Sequence, residues 1–451
     1  MRRTACVLIS ALALSGCATS SLFKPYPSQA QQWRSATLSS QQAQELVATL
    51  EKKTDSKDGL LYLQEQGRVA QIGGLVDSSQ QAFERAIDLY LAQDDKALIS
   101  AGALAGGLST TLSNDNAMAY SGYEYERIAL HGFQALNFWQ HGDLSGAAVE
   151  FRRLTQEQRN AEVRNDKRIA KAEAEAEKEG SPSANDLDSQ LGGLNSAASS
   201  VRNSIQNAYF YYLAGVFREG TGQFNDATVD FKKAYEIMPR HPLLEADIRR
   251  LTARQTGRYR AASGSGQVVI AYEQGYIPAR QQISLPIPTV HGYFAVAFPT
   301  YAGNAPEPRP LQISGAGHAT TAVIARFDGL AARALKEQVP GMLLRQTLRA
   351  KAKYETQKLA NDKGGVFAGL ATQIYNLVSE QADLRSWLTL PANAQVARLE
   401  LPAGTQALTL AGMGSSTSVD VPVTAGGTTL VRVIDTGALH VTVLPTLENR
   451  R

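Results

Sequence analysis

Few side chains in this sequence are able to do covalent chemistry. There are two cysteines, Cys6 and Cys17, and Cys17 closes the run Leu14-Ser15-Gly16-Cys17. A branched residue, two small ones and then a thiol is the pattern of the bacterial lipobox. Small residues admit an extended backbone to a peptidase, and the thiol takes up a diacylglyceryl group. Arg2 and Arg3, followed by apolar Ala5 to Leu14, supply the charged and hydrophobic regions of a signal peptide, too short to span a bilayer. Cleavage before Cys17 and acylation of its thiol are therefore expected. Ala18 stands where an Asp would hold the chain in the inner membrane, so the expected address is the outer membrane, facing the periplasm. Cys6 would leave with the leader, and the mature fold would hold neither a disulfide nor a thiol nucleophile.

Other reaction chemistry is sparse. The histidines (His131, His141, His241, His291, His318 and His440) form no HxxxH or HExxH spacing of the kind that places two ligands on one helix face. Strand alternation sets His440 on an exposed polar face opposite Leu439, Val441 and Val443. Gly315-Ala316-Gly317-His318 lacks the third glycine and the lysine of a phosphate loop and reads as a turn. No Gly-x-Ser-x-Gly elbow occurs. No catalytic residue, metal site or cofactor is expected, and the chain reads as a non-enzyme. Without Arg2 and Arg3 the basic residues number 43 against 42 acidic ones, which argues against nucleic acid, where a basic stripe is needed.

The remaining functional class is binding, and the elements that would present it are legible. The fold expected is α+β: an N-terminal all-α tetratricopeptide-like helical array, then a β-sandwich-like domain with inserted helices. Residues 1–16 are the leader, 17–40 a lipid-anchored tether rich in Ser, Gln and Pro, 41–262 the helical domain and 263–451 the β-rich domain. Helical repeats fall near 60–93, 128–161 and 208–242 and share one frame. Its positions are Gly67, Gly74, Ser79, Phe83 and Ala86, then Ala135, Gly142, Ala147, Phe151 and Leu154, then Gly215, Gly222, Ala227, Phe231 and Ala234. Uncharged 97–113 separates the first two copies. Residues 156–200 begin as an Ala/Glu/Lys helix and end in Gly and Ser, which predicts a solvated helix and then a flexible loop.

After Ser263-Gly264-Ser265-Gly266 the texture turns to alternation. Strands are predicted at Gln267–Glu273, Gly292–Phe298, Leu311–Ser314, Gln395–Leu401, Gln406–Leu410, Thr428–Ile434 and Leu439–Leu444. Helical periodicity at Arg326–Glu337, Met342–Leu359 and Val366–Gln381 predicts an insertion over about 326–381. Arg345, Arg349, Lys351, Lys353 and Lys358 read as a solvated basic face. In the repeat frame, the first helix of each copy points Leu61, Gln64, Arg68 and Gln71, then Ala129, Gly132, Leu136 and Trp139, then Tyr209, Tyr212, Val216 and Glu219 into a concave groove. Arg68, Gln71, Trp139, Tyr209, Tyr212 and Glu219 are its candidate partner-binding residues, since buried aromatics and arginine anchor most interfaces.

Two blocks carry a resemblance. One is Asn114-Asp115-Asn116, Tyr120, Gly122, Glu126, Ala135-Leu136-Asn137, Gly142-Asp143 and Ala148-Val149-Glu150 with Arg152-Arg153. The other is Ala382-Asp383-Leu384-Arg385-Ser386-Trp387, Leu390-Pro391, Gln395-Val396-Ala397-Arg398 and Pro402-Ala403-Gly404. Together they resemble a poorly characterised family of proteobacterial lipoproteins with tetratricopeptide-like helices, often encoded near lipoproteins that activate penicillin-binding proteins. The resemblance implies an accessory role in cell-envelope assembly and lends no catalytic residues; the insertion at 156–200 departs from it. The expected partners are a periplasmic or envelope protein at the helical repeats and the outer membrane at the lipid. Two alternatives stay open: a peptidoglycan- or glycan-binding protein, and a structural subunit of an envelope machine.

Overall fold

A computed structural model describes residues 24–34, 38–102, 116, 118–181, 187–258, 264–289, 292–303, 306–349, 351–352 and 381–448. Cys17, the apolar segment 103–112 and Val366–Val378 lie outside them. The chain is α+β, helical in its N-terminal half, with the strands gathered in the C-terminal half.

The repeats are helix hairpins. They pair α3 (Gly59–Ile72) with α4 (Val76–Gly102), α5 (Glu124–Gln140) with α6 (Leu144–Lys178), and α8 (Ala208–Gly220) with α9 (Phe224–Ile237). Before them come α1 (Tyr26–Ala30) and α2 (Ser40–Glu51); α7 (Gly192–Ala198) lies between the second and third hairpins, and α10 (Pro242–Gln255) follows the last. The shared frame has a steric cause. A Cβ on Gly67 would lie 2.1 Å from the Phe83 ring, and one on Gly215 would lie 2.7 Å from the Phe231 ring. At these two positions a side chain would block the aromatic of the second helix from closing onto the first; the second hairpin holds the small Ala135 at the same point, opposite Phe151. Gly74, Gly142 and Gly222 turn the hairpins at φ 76°, 77° and 83°, in the left-handed region.

Three sheets follow. The first has the order β11-β10-β1-β7-β6, built from β1 (Ser265–Gln274), β6 (Ala322–Arg326), β7 (Asn393–Pro402), β10 (Thr428–Asp435) and β11 (Leu439–Val443). Within it β1 and β10 run parallel, and the other neighbours run antiparallel. β2 (Gln281–Thr289) and β3 (Gly292–Thr300) form a separate hairpin. The third sheet orders β5 (Ala319–Thr320), β4 (Gln312–Gly315), β8 (Gly404–Ala411) and β9 (Ser416–Val423). A helix over 327–349, α11, joins β6 to the segment leading to β7.

β1 explains the layering. Val268, Ile270 and Tyr272 point into a core shared with Ile313, Leu408, Leu410 and Val421 of the third sheet. The alternate residues Val269 and Ala271 point into the core of the helical array. The first sheet is therefore covered on both faces, by helices on one side and by strands on the other. That is why the central strand β1 reads as a continuous apolar run from Val268 to Tyr272.

Several expectations change. The halves 41–262 and 263–451 share one hydrophobic core that runs from Tyr26 to Leu447, so the switch from helix to strand near 260 is not a gap in packing. The tether expected over 17–40 is docked from residue 24 onward, with Tyr26, Ala30, Trp33 and Leu38 buried. The expected flexible stretch within 156–200 also packs: Leu187, Leu191, Leu194 and Ala198 are core residues. The α6 extension is not simply solvated, because Asn165 Nδ2 donates to Glu337 Oε2 of α11 at 2.8 Å and Lys351 Nζ to Glu179 Oε2 at 3.0 Å. Two segments that each looked like solvent-exposed additions cover one another. Of the supposed solvated basic face, Arg349 is buried; Lys353 and Lys358 lie outside the described residues. His440 is half-buried rather than exposed, because it pairs with Ile434 on the face of the first sheet turned toward the helical core, and burial lowers its imidazole pKa. Strands β2, β5, β6 and β9 were not anticipated, and the helices predicted at Arg326–Glu337 and Met342–Leu359 are one helix through 349.

A core shared by both halves, with β1 contributing to it on one face and to the inter-sheet core on the other, predicts a single melting event. Calorimetry of the full chain is expected to show one cooperative transition, and two transitions that separate under denaturant would contradict the shared core.

Candidate functional site

The repeat frame places Arg68, Gln71, Trp139, Tyr209, Tyr212 and Glu219 together on the inner face of the array, as the sequence reading required. All six are buried by this chain's own sheet. Trp139 Nε1 donates to the Pro445 carbonyl at 3.0 Å, and the Tyr209 hydroxyl donates to Glu273 Oε1 at 2.9 Å. The Tyr212 ring packs on Phe231, with centroids 5.4 Å apart. Glu219 is paired with Arg250 of α10 and, at 3.2 Å, with Arg398 of β7. The expectation that these residues meet a partner is thus corrected: they face inward as the frame requires, and the first sheet occupies the groove.

The centre of that contact is ionic. Glu273, on the helix-facing side of β1, meets Arg68 Nη2 at 3.0 Å and Arg432 Nε at 2.8 Å. Gln71 Oε1 accepts from both guanidinium groups, at 2.7 and 3.0 Å, and both guanidinium groups lie over the Phe133 ring, at 4.1 and 5.3 Å. Burial alone would raise the Glu273 carboxyl, but Arg432 and Arg68 outweigh it and hold it below the ordinary carboxylate range. Two arginines against one carboxylate, capped by an amide and an aromatic face, make a charge cluster with its donors largely matched.

Beside it runs a strap, residues 382–390, clasped by two further carboxylates. Glu65 of α3 accepts from the Leu388 amide and the Tyr26 hydroxyl, each at 2.7 Å, and from the amide and hydroxyl of Thr389. Glu126 of α5 accepts from the Trp387 amide at 2.9 Å, from the hydroxyls of Tyr120 and Tyr125, and from the Tyr123 amide. Each carboxylate thus takes donors from the array and from the strap together. Burial raises both carboxyls despite these hydrogen bonds. Trp387, with no exposed surface, fits edge-on between Phe83 and Phe133 at 5.8 and 6.1 Å. The segment after the helical insertion is therefore a wedge in the groove, held by backbone amides that must find acceptors once buried.

An open cleft lies next to the clasp, with a volume of about 380 Å³, large enough for a small ligand or a peptide side chain. Its walls are the segment 118–123, the end of β3, α11 through Gln338 and Met342, and the start of the strap. Arg385 closes its base. It donates to Asp58, to the Met118 carbonyl at 2.8 Å and to both oxygens of Asp383, and it lies over the Tyr120 ring at 5.6 Å. Arg280, buried behind the cleft, donates to the Tyr123 hydroxyl and to the Arg385 carbonyl at 3.0 Å. Among the described residues lining the cleft, Asp383 is the one carboxylate and is occupied by Arg385, and they include no serine–histidine or carboxylate pair. Among the described residues, no group of three His, Cys, Asp or Glu side chains is arranged to hold a metal.

The residues that do most at this place were not among the sequence candidates. Glu273 ends the apolar run Val268–Tyr272, and that misfit was its available signal; Glu65, Glu126 and Arg385 stand among polar neighbours and carry no local signal. Glu126 and Arg385 stood within the two resemblance blocks, which the fold brings into contact through the Glu126–Trp387 hydrogen bond and the Arg385–Tyr120 stack.

Replacing Glu273 by Gln leaves two buried guanidinium groups without a counter-charge and is expected to cost roughly 3–5 kcal/mol, read as a lower melting temperature at pH 7. Because the folded carboxyl titrates below its unfolded value, its stabilisation is present above the ordinary carboxylate range and is lost as pH falls through the depressed value. The deficit of the variant should therefore shrink as the pH is taken below the ordinary carboxylate range. A deficit that does not change with pH would show that the charge is not what matters.

Compared with family models, with curated proteins and with solved structures, the chain matches none.

Proposed function

We propose that this protein is a lipid-anchored accessory protein of the bacterial cell envelope, held at the outer membrane through Cys17, which binds a periplasmic or envelope partner without doing chemistry of its own. The observation that carries this reading is the convergence of the two resemblance blocks on one cleft. Residues more than 250 positions apart are joined there by Glu126, Tyr120, Arg385 and Trp387. The rigid clasp behind the cleft is the kind of support a recognition surface needs, because a preformed site loses less freedom on binding. The binding face is assigned to this cleft rather than to the groove of the array, whose inward residues are spent on the sheet. Tyr120, Tyr123, Gln338 and Gln346 line the cleft with hydroxyls, rings and amides, a set that also suits a glycan strand. A glycan ligand is accordingly the second reading.

The test is a photo-crosslinkable benzoylphenylalanine in place of Gln338, compared with the same probe in place of exposed Lys52. A discrete protein adduct from position 338 alone is expected. An adduct with muropeptides instead would support the glycan reading, and equal labelling at both positions would remove the cleft from the reading. Cys17→Ser should independently move the chain from the membrane to the soluble fraction and abolish palmitate incorporation; retention of the label would sink the anchor.

A further inference from the structure

The face of the array turned away from the sheet carries a second groove. It lies between the outer helices of the second and third hairpins, α6 and α9, with α8 as its floor, and has a volume of about 540 Å³. Tyr211 and Arg218, seven residues apart and so on one face of α8, form the floor; Val229 and Ile237 of α9 add apolar surface. Val229 is 55% exposed, as is Val163 of α6, an unusual degree for a branched aliphatic side chain among polar neighbours. The α6 wall presents Arg152, Arg153 and Arg159, and the α9 wall presents Lys233.

The charges do not cancel. Arg153 is engaged by Glu150, Lys233 by Glu236, and Arg218 by Asp230 at the floor. Burial pushes the Asp230 carboxyl up to about 7, against the pull of Arg218, which weakens the acidic contribution of the floor at neutral pH. Glu162, at one end, accepts from the Gln206 amide, its one hydrogen bond among the described residues. Arg159 donates to the neutral Gln156 side chain, and among the described residues neither Arg152 nor Arg159 has a carboxylate partner. Two guanidinium groups on one helix face, seven residues apart, stand about 10 Å from one another along the helix. That is the span of one turn of a polyproline-II chain, three residues at about 3.1 Å each, which also brings side chains three residues apart onto one face.

We propose that this outer groove docks an extended acidic segment of a partner protein, with two carboxylates three residues apart set on Arg152 and Arg159 and an apolar side chain between them on Tyr211. Charge complementarity selects the occupant. Guanidinium forks match carboxylates in a bidentate manner, and an aromatic floor between them supplies the apolar contact. A concave trough between two helices suits a single chain, whereas a membrane surface would meet a convex basic face. This site is separate from the cleft beside the strap, and each stands or falls without the other.

Fluorescence anisotropy of the full-length chain in detergent tests it, using a labelled nonapeptide that carries two glutamates three residues apart around a phenylalanine. Saturable binding is expected, weakened at least tenfold by Arg152→Glu with Arg159→Glu, retained by the corresponding double lysine variant, and weakened by added salt. Both arginines are exposed on the helix exterior, so an unchanged melting temperature will accompany the loss. Equal binding of a peptide with glutamines in place of the glutamates overturns the proposal, as does unchanged affinity of the double glutamate variant or no binding at all. Binding of phosphatidylglycerol vesicles without binding of the peptide also overturns it, in favour of a lipid-facing surface.

Discussion

Glu273 is a carboxylate on the central strand of a sheet, aimed into an apolar helical array, and most of the architecture can be understood from what that requires. A buried charge is tolerable only when matched, and the match comes from two directions: Arg68 from the first hairpin and Arg432 from the neighbouring strand β10. Tyr209 from the third hairpin and Gln71 fill the remaining hydrogen-bonding capacity. One carboxylate thus fixes the register of β1 against β10 and the position of both against the first and third hairpins. Replacing the cluster by apolar side chains could preserve the burial, but it would remove this geometric restriction. Glu65 and Glu126 repeat the device with backbone amides in place of guanidinium groups, and so bind the strap as well as the sheet.

The helical frame was legible because steric rules are local. A glycine or alanine facing an aromatic sixteen residues later, and a glycine at the turn, can be read without any tertiary knowledge. The alternation of Ala397, Leu399 and Leu401 against Arg398 and Glu400 was legible for the same reason. Where Arg398 would point was not. Alternation distinguishes two faces but does not say what covers the polar one, and here it is covered by Glu219 and Asp247. The missed strand β2 carries Pro286 and Pro288, which lower strand propensity, and it survives as one arm of a two-stranded hairpin.

The groove residues were identified correctly and their partner was not. Position within a repeat predicts that Trp139, Tyr209 and Tyr212 face inward, but inwardness is equally compatible with a foreign ligand and with the rest of the same chain. The deciding information lay in contacts between residues hundreds of positions apart, such as Arg68 with Glu273 and Glu65 with the Leu388 amide. Pairwise matches of that kind leave no trace in a local pattern. Likewise the Ala/Glu/Lys stretch of α6 looked self-sufficient, and only the opposite helix α11 showed which of its faces had a neighbour.

The topology of the first sheet has a kinetic consequence. β1 is flanked by β7 and β10, whose strands begin 128 and 163 residues after its own first residue. The hairpins of the array are local and can close as soon as they leave the ribosome, whereas the central strand has no neighbour until most of the remaining chain has followed. Through that interval an apolar strand and the unfilled inner face of the array are exposed together, which is the condition under which nascent chains aggregate or recruit chaperones. The tight self-closure of the finished molecule therefore implies a vulnerable period in its synthesis. Destabilising substitutions in β10 would be felt first as lost yield, with the surviving molecules still well folded.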